Sequence, residues 1–130
     1  MMRYILLIYS QSPGRDLSER DYSAHWAVMD EAEAARKGSV VAAEPLPPAS
    51  AAKIVRKEQG KRLITDGPFA ETKEQLAGFY IFDCETQDEA LQWAERILPA
   101  CRHAVAIEVR QMPGLPERAE SQNAGTSVKR

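Results

Sequence analysis

The segment TDGPFAETKEQLAGFY, residues 65–80, crowds Asp66, Glu71, Thr72, Lys73 and Glu74 together just ahead of an apolar, aromatic run. A carboxylate such as Asp66 at a pocket mouth can act as a general base or hold a cation. It does base work near neutral pH only when burial raises its pKa. Lys73 can neutralise an anionic ligand, Glu71 or Glu74 can carry a proton, and Thr72 stands among them as a further binding group. Tyr80 is placed to line the same pocket. A structural reading stands beside this one. Asp-Gly-Pro is a turn sequence, in which Asp accepts backbone N–H bonds and Pro restricts the residue before it. Thr72 with Gln75 makes a capping box over a short, solvated helical turn.

Outside that segment, His25 is the side chain best suited to acid/base work, its ordinary pKa lying near 6.5; the alternative is a packing role beside Trp26. Arg56 can meet an anion or pair with Glu44. His103 reads as a loop residue, and two histidines so far apart offer no metal-ligand spacing. The chain has no G-x-S-x-G, H-E-x-x-H, Walker or G-x-G-x-x-G pattern. No metal and no cofactor are expected.

Bulk properties narrow the class further. A chain of 130 residues with 44% hydrophobic and 28% charged residues is one domain able to bury its own core. A net charge of −2 argues against a general nucleic-acid binder. Cys84 and Cys101 form no C-x-x-C and read as thiols of a cytoplasmic protein. The apolar start is far shorter than a membrane span or a signal segment, so neither is expected.

The elements that must position these residues follow from periodicity. YILLIY (4–9) and GFYIFD (78–83) are apolar on both faces and read as strands buried on both sides. A helix opens at Ser18, with Asp21 completing its cap, and runs to about Lys37, where Gly38 stops it. Tyr22, Trp26 and Met29 share one side of it, and Ala32, Ala34 and Ala35 allow close approach to a sheet. SVVAAE (39–44) is a strand ended by PLPP. AKIVRK (52–57) and KRLIT (61–65) flank a glycine turn and form a hairpin. Thr86 and Glu89 cap a second helix, whose apolar face carries Ala90, Leu91, Ala94, Ile97 and Leu98 and which Pro99 ends. In AVAIEVR (104–110), Val105, Ile107 and Val109 face one way, and Glu108 and Arg110 the other. Residues 113–130 form a polar tail without periodicity, expected to be mobile.

This order gives an α+β fold, a ferredoxin-like βαββαβ antiparallel sheet with an inserted β-hairpin, over residues 1–112. With both helices on one face, the other face exposes a patch too apolar for water, and a second copy packed sheet on sheet is the simplest cover. RNA-recognition domains share the topology, but Ala77 stands where their signature wants a basic residue, so direct nucleic-acid binding is not expected.

Taken together, RYILLIY, AAEPLPPASAAKIVR, TDGPFAETKEQLAGFYIFD, the DEALQWA helix and IEVRQM resemble the YCII-related, or DGPF-domain, family over nearly the whole chain up to Met112. The resemblance implies a homodimer of the dimeric α/β-barrel type with a small-molecule cleft between helices and sheet. In some members it implies an association with extracytoplasmic-function sigma factors. It also implies a His–Asp pair as the site. His25 lies in the comparable first helix, and Asp66 is the candidate acid. The expected function is therefore a small-ligand pocket near the DGPF loop with cofactor-free acid/base chemistry, the alternative being a non-catalytic regulatory module. No membrane partner is expected.

Overall fold

The computed structural model describes residues 1–11, 17–47, 49–70, 72–116 and 118. Glu71 and most of the predicted tail lie outside the described residues.

Six strands and two helices follow in the order β1 (Met2–Ser10), α1 (Glu19–Ala35), β2 (Val40–Pro45), β3 (Lys53–Glu58), β4 (Lys61–Asp66), β5 (Gln75–Cys84), α2 (Gln87–Ala100) and β6 (Ala104–Met112), with a 3-10 turn at Ala49–Ala51. Strands β2, β5, β1 and β6 form one sheet in that order, and every pair in it is antiparallel. The result is an α+β fold with the strand order of a ferredoxin-like core, and the two strands most apolar in sequence lie at its centre. Strands β3 and β4 pair with each other in a separate two-stranded sheet.

Alternation along the central strands separates two faces. Tyr4, Leu6 and Ile8 of β1 and Tyr80, Phe82 and Cys84 of β5 are buried. They form one core with Val28 and Ala32 of α1 and Ala90, Ala94 and Ile97 of α2, so both helices cover this side. Ile5, Leu7, Phe79 and Ile81 point to the opposite side and are half-buried. The central strands are thus fully buried on one face rather than both, because the two helices of this topology share a side.

Local chemistry sets the helix ends. The Ser18 side chain accepts from the Asp21 amide and the Asp21 carboxylate accepts from the Ser18 amide, a reciprocal capping box. Thr86 caps α2 through the Glu89 amide at 3.1 Å. Pro99 does not end α2 but lies in its last turn. So close to the end, its missing N–H removes only one helical bond. Leu91 and Leu98 flank the buried stripe and are exposed. Val105 also departs from its expected face. Ser10 pairs with Ala104 and Tyr9 with Ala106, and this register shift leaves Val105 out of the pairing and exposed.

The segment between Thr72 and Gln75 is not helical. The Thr72 hydroxyl donates to the Glu74 carbonyl at 2.6 Å, and Gln75 opens β5. Sheet pairing with β1, which begins at Ser10↔Gln75, takes the residues a helical turn would have used. In the DGPF loop, the Gly67–Pro68 peptide is cis. The Gly67 amide donates to the Ala52 carbonyl at 2.7 Å. A β-carbon on Gly67 would sit 2.7 Å from Ala52 Cβ and 3.1 Å from its carbonyl oxygen. Glycine is needed here because the two backbones approach so closely. Gly67→Ala is expected to lower stability by about 1–3 kcal/mol, the usual cost of forced overpacking, measured by urea denaturation.

Candidate functional site

A cavity of about 370 Å³ opens where the C-terminal end of β1, the first half of α1, the segment Ala43–Pro47, the start of β5 and the turn from α2 into β6 converge. The helix stripe read from sequence faces this space. Tyr22, His25, Trp26 and Met29 all line it, at the i, i+3, i+4 and i+7 spacing of one helix face. Val28 and Ala32, one position round, bury into the core instead. Tyr22 and Trp26 remain exposed at the rim, with Leu17, Leu46 and Leu76.

At the centre, His25 Nδ1 is in hydrogen-bond contact with the Tyr80 hydroxyl. Their ring centroids are 5.2 Å apart, and the Trp26 indole meets the His25 ring edge-on at 5.2 Å. Tyr80 in turn stacks on Phe82 at 5.9 Å, and Phe82 on Trp93 at 5.7 Å, so the phenol is held by a column of core aromatics. Cys101, just past the end of α2, lines the same cavity. Ser10 fixes the turn after α2 by donating to the His103 carbonyl at 2.8 Å.

Burial governs the protonation of these groups. It lowers the pKa of His25, which favours the neutral imidazole. It raises the Tyr80 phenol far above its ordinary value, so the hydroxyl keeps its proton. Burial raises the Cys101 thiol too, and the nearby Asp21 carboxylate adds to the effect. Asp21 itself is held down at about 2 by the Ser18 backbone amide and by Arg102. Among the described residues Arg102 is the one lysine or arginine in the lining, and its guanidinium is engaged with Asp21 at 2.9 Å. The cavity is therefore apolar and aromatic, with two neutral, proton-bearing side chains at its centre.

Of the residues singled out in sequence, His25 and Tyr80 are brought together. Asp66, Thr72, Lys73 and Arg56 are not among the cavity lining. Asp66 closes β4 with its carboxylate largely exposed and paired with Lys53. The Arg56 guanidinium lies 4.7 Å from the centre of the Phe69 ring rather than on Glu44 or a bound anion. Thr72 is turned onto Glu74, and Lys73 is exposed. Sequence reasoning passed over Cys101, Asp21 and Met29 as site residues. Met29 and Asp21 were legible as neighbours of His25 on the helix face. Cys101 was not, because only the packing of α2 against the sheet brings it to the cavity. Among the described residues no cluster of three or more His, Cys, Asp or Glu side chains is arranged to hold a metal. Cys84 and Cys101 are free thiols.

The family model of the YCII-related domain matches residues 2–113. The chain belongs to the YCII-related family. A curated relative, an uncharacterised protein of Rhizobium meliloti (strain 1021), is 46% identical over 67 residues, covering 52% of this chain and 54% of the relative. The chain thus matches about half the length of that relative. Among solved structures, 5-chloro-2-hydroxyhydroquinone dehydrochlorinase from Burkholderia phenoliruptrix AC1100, in complex with 2,5-dihydroxybenzoquinone, is similar at 16% identity and a TM-score of 0.44. That match covers 94% of this chain and 100% of that one, but the likeness is too loose to carry an argument about this YCII-related protein. No helix among the described residues is long and apolar enough to cross a membrane.

Proposed function

We propose that this YCII-related protein binds a small, largely apolar, uncharged molecule in the α1–β5 cavity and performs acid/base chemistry on it, with His25 as the group that shares a proton with the ligand. The observation that carries this reading is the His25–Tyr80 pair at the centre of an aromatic cavity. A neutral imidazole in an apolar site is worth more as a proton partner than the same ring in water. Charge supports the ligand class. Among the described residues the one guanidinium in the lining is already tied to Asp21, so no free lysine or arginine among them compensates a phosphate or carboxylate. The reading moves the centre of chemistry from the DGPF loop to α1, with Tyr80 retained and Asp66 replaced by Tyr80 as the partner of His25. No cofactor has a part in it. It is tested by offering a panel of uncharged phenols and cyclic ketones in D2O to wild-type protein and to His25→Ala, following binding by thermal shift and proton exchange by NMR. Equal binding and exchange in both proteins would remove His25 from the chemistry.

The same protein is proposed to act as a cytoplasmic homodimer joined through the sheet face opposite the helices. What supports this is the row Ile5, Leu7, Phe79 and Ile81, which no helix covers. Apolar area on that face is worth about 25 cal/mol per Å² when removed from water. Ile81→Asp, which leaves the helix-covered core untouched, is expected to turn a micromolar dimer into monomer in analytical ultracentrifugation. A wild-type monomer at that concentration overturns the reading. The alternative of a sigma-factor-associated regulatory module has no supporting observation among the described residues.

A further inference from the structure

The contact between His25 and Tyr80 leaves open which of them gives the hydrogen, and the choice decides what His25 can do to a ligand. A neutral imidazole has one N–H and one lone pair, and a phenol one O–H. If Tyr80 donates to His25 Nδ1, their one contact satisfies the phenol proton. If His25 Nδ1–H donates instead, the O–H of the buried Tyr80 is left without an acceptor among the described residues. The first arrangement is therefore the favoured one.

The surroundings offer nothing to reverse that choice. Asp21, on the same helix, is occupied by Ser18 and Arg102. Tyr22 on the same helix, Glu44 from β2, and Cys101, Arg102 and His103 from the turn after α2 are the other charged and titratable groups of the lining among the described residues, and none of them bonds the His25 ring. Among the described residues, His25 Nε2 has no hydrogen-bond partner. It is the ring nitrogen left for whatever occupies the cavity.

We propose that the Tyr80 phenol O–H donates to His25 Nδ1, which holds His25 as the Nε2–H tautomer and makes it a hydrogen-bond donor to an oxygen of the ligand. This rests on the cavity being the functional site and assigns His25 the acid, carbonyl-polarising side of the chemistry, not the base side. A neutral imidazole donating to a substrate oxygen is an established way to polarise a carbonyl without charge. The ligand class follows: an uncharged ring or chain with a carbonyl or hydroxyl oxygen directed at His25. Tyr80 is a positioning residue in this arrangement.

The test needs no ligand, so its failure is separable from failure of the functional reading. Long-range ¹H–¹⁵N NMR of the wild-type protein above the His25 titration is expected to show Nε2 protonated and Nδ1 accepting. A majority of Nδ1–H overturns the proposal. Tyr80→Phe removes a donor that favours the neutral ring, so the His25 titration midpoint is expected to rise by about 0.5–1 pH unit, the equivalent of one ordinary hydrogen bond. A fall, or no change with the His103 titration unaltered, overturns it. If Tyr80→Phe does not fold, the wild-type spectrum still decides the matter.

Discussion

His25→Ala is expected to lower turnover of any molecule processed in the cavity by roughly 10²–10⁴-fold, the usual contribution of one positioned acid or base. The fold is expected to survive, because the buried positions of α1 are Val28 and Ala32, and His25 is only partly buried. The loss should appear in kcat more than in KM, since a shared proton matters most where charge develops. His25→Asn is the sharper comparison: the amide offers an N–H but cannot follow the pH dependence of an imidazole. Wild-type activity should decline as pH falls through the His25 pKa, which burial places below the ordinary histidine value, because protonation at Nδ1 removes the acceptor of the Tyr80 hydroxyl and breaks the contact that aims Nε2–H at the ligand. In His25→Asn that limb should vanish. Steady-state pH–rate profiles of the three proteins check this, and an unchanged acid limb in His25→Asn would assign it to another group.

Phe82→Ala should have the largest effect on stability, about 3–5 kcal/mol. Phe82 is fully buried at the centre of β5 and stacks against Tyr80 on one side and Trp93 on the other. Removing it opens a void that neither ring can fill without leaving its place, so the transfer loss and the cavity loss add. A second effect accompanies the first. Tyr80 loses the ring that holds its phenol under His25, so the titration of His25 should shift even where the variant remains folded. Urea denaturation measures the stability change and NMR titration of His25 measures the coupling. A loss under about 1 kcal/mol would mean the core collapses around the gap far more readily than its packing implies.

Much of the fold was readable without the structure because periodicity and capping are local. YILLIY and GFYIFD announced central strands, and the Ser18–Asp21 and Thr86–Glu89 pairs announced both helix starts, because each pattern is a contest between neighbours in the chain. Pro99 and Val105 were misjudged for the complementary reason. A proline one residue from a helix end costs little, and a register shift is set by the partner strand. The Thr72–Gln75 box failed because β5 claimed Gln75 for pairing with Ser10. At the site, the charge-dense DGPF segment drew attention that composition alone could not redirect. Charges in sequence mark exposure as readily as chemistry, and Asp66, paired with Lys53, lies largely exposed and outside the cavity lining.

The sequence alone determined the class, the element order, the two helix caps, and the single helix face on which Tyr22, His25, Trp26 and Met29 stand. Tertiary structure decided what that face meets. Tyr80 is 55 residues from His25, and Cys101 approaches from the far end of α2. Their meeting depends on strand order and on both helices packing against one side of the sheet, which are properties of long-range pairing and burial. That is why the histidine was visible from the start and its hydrogen-bonded partner was not.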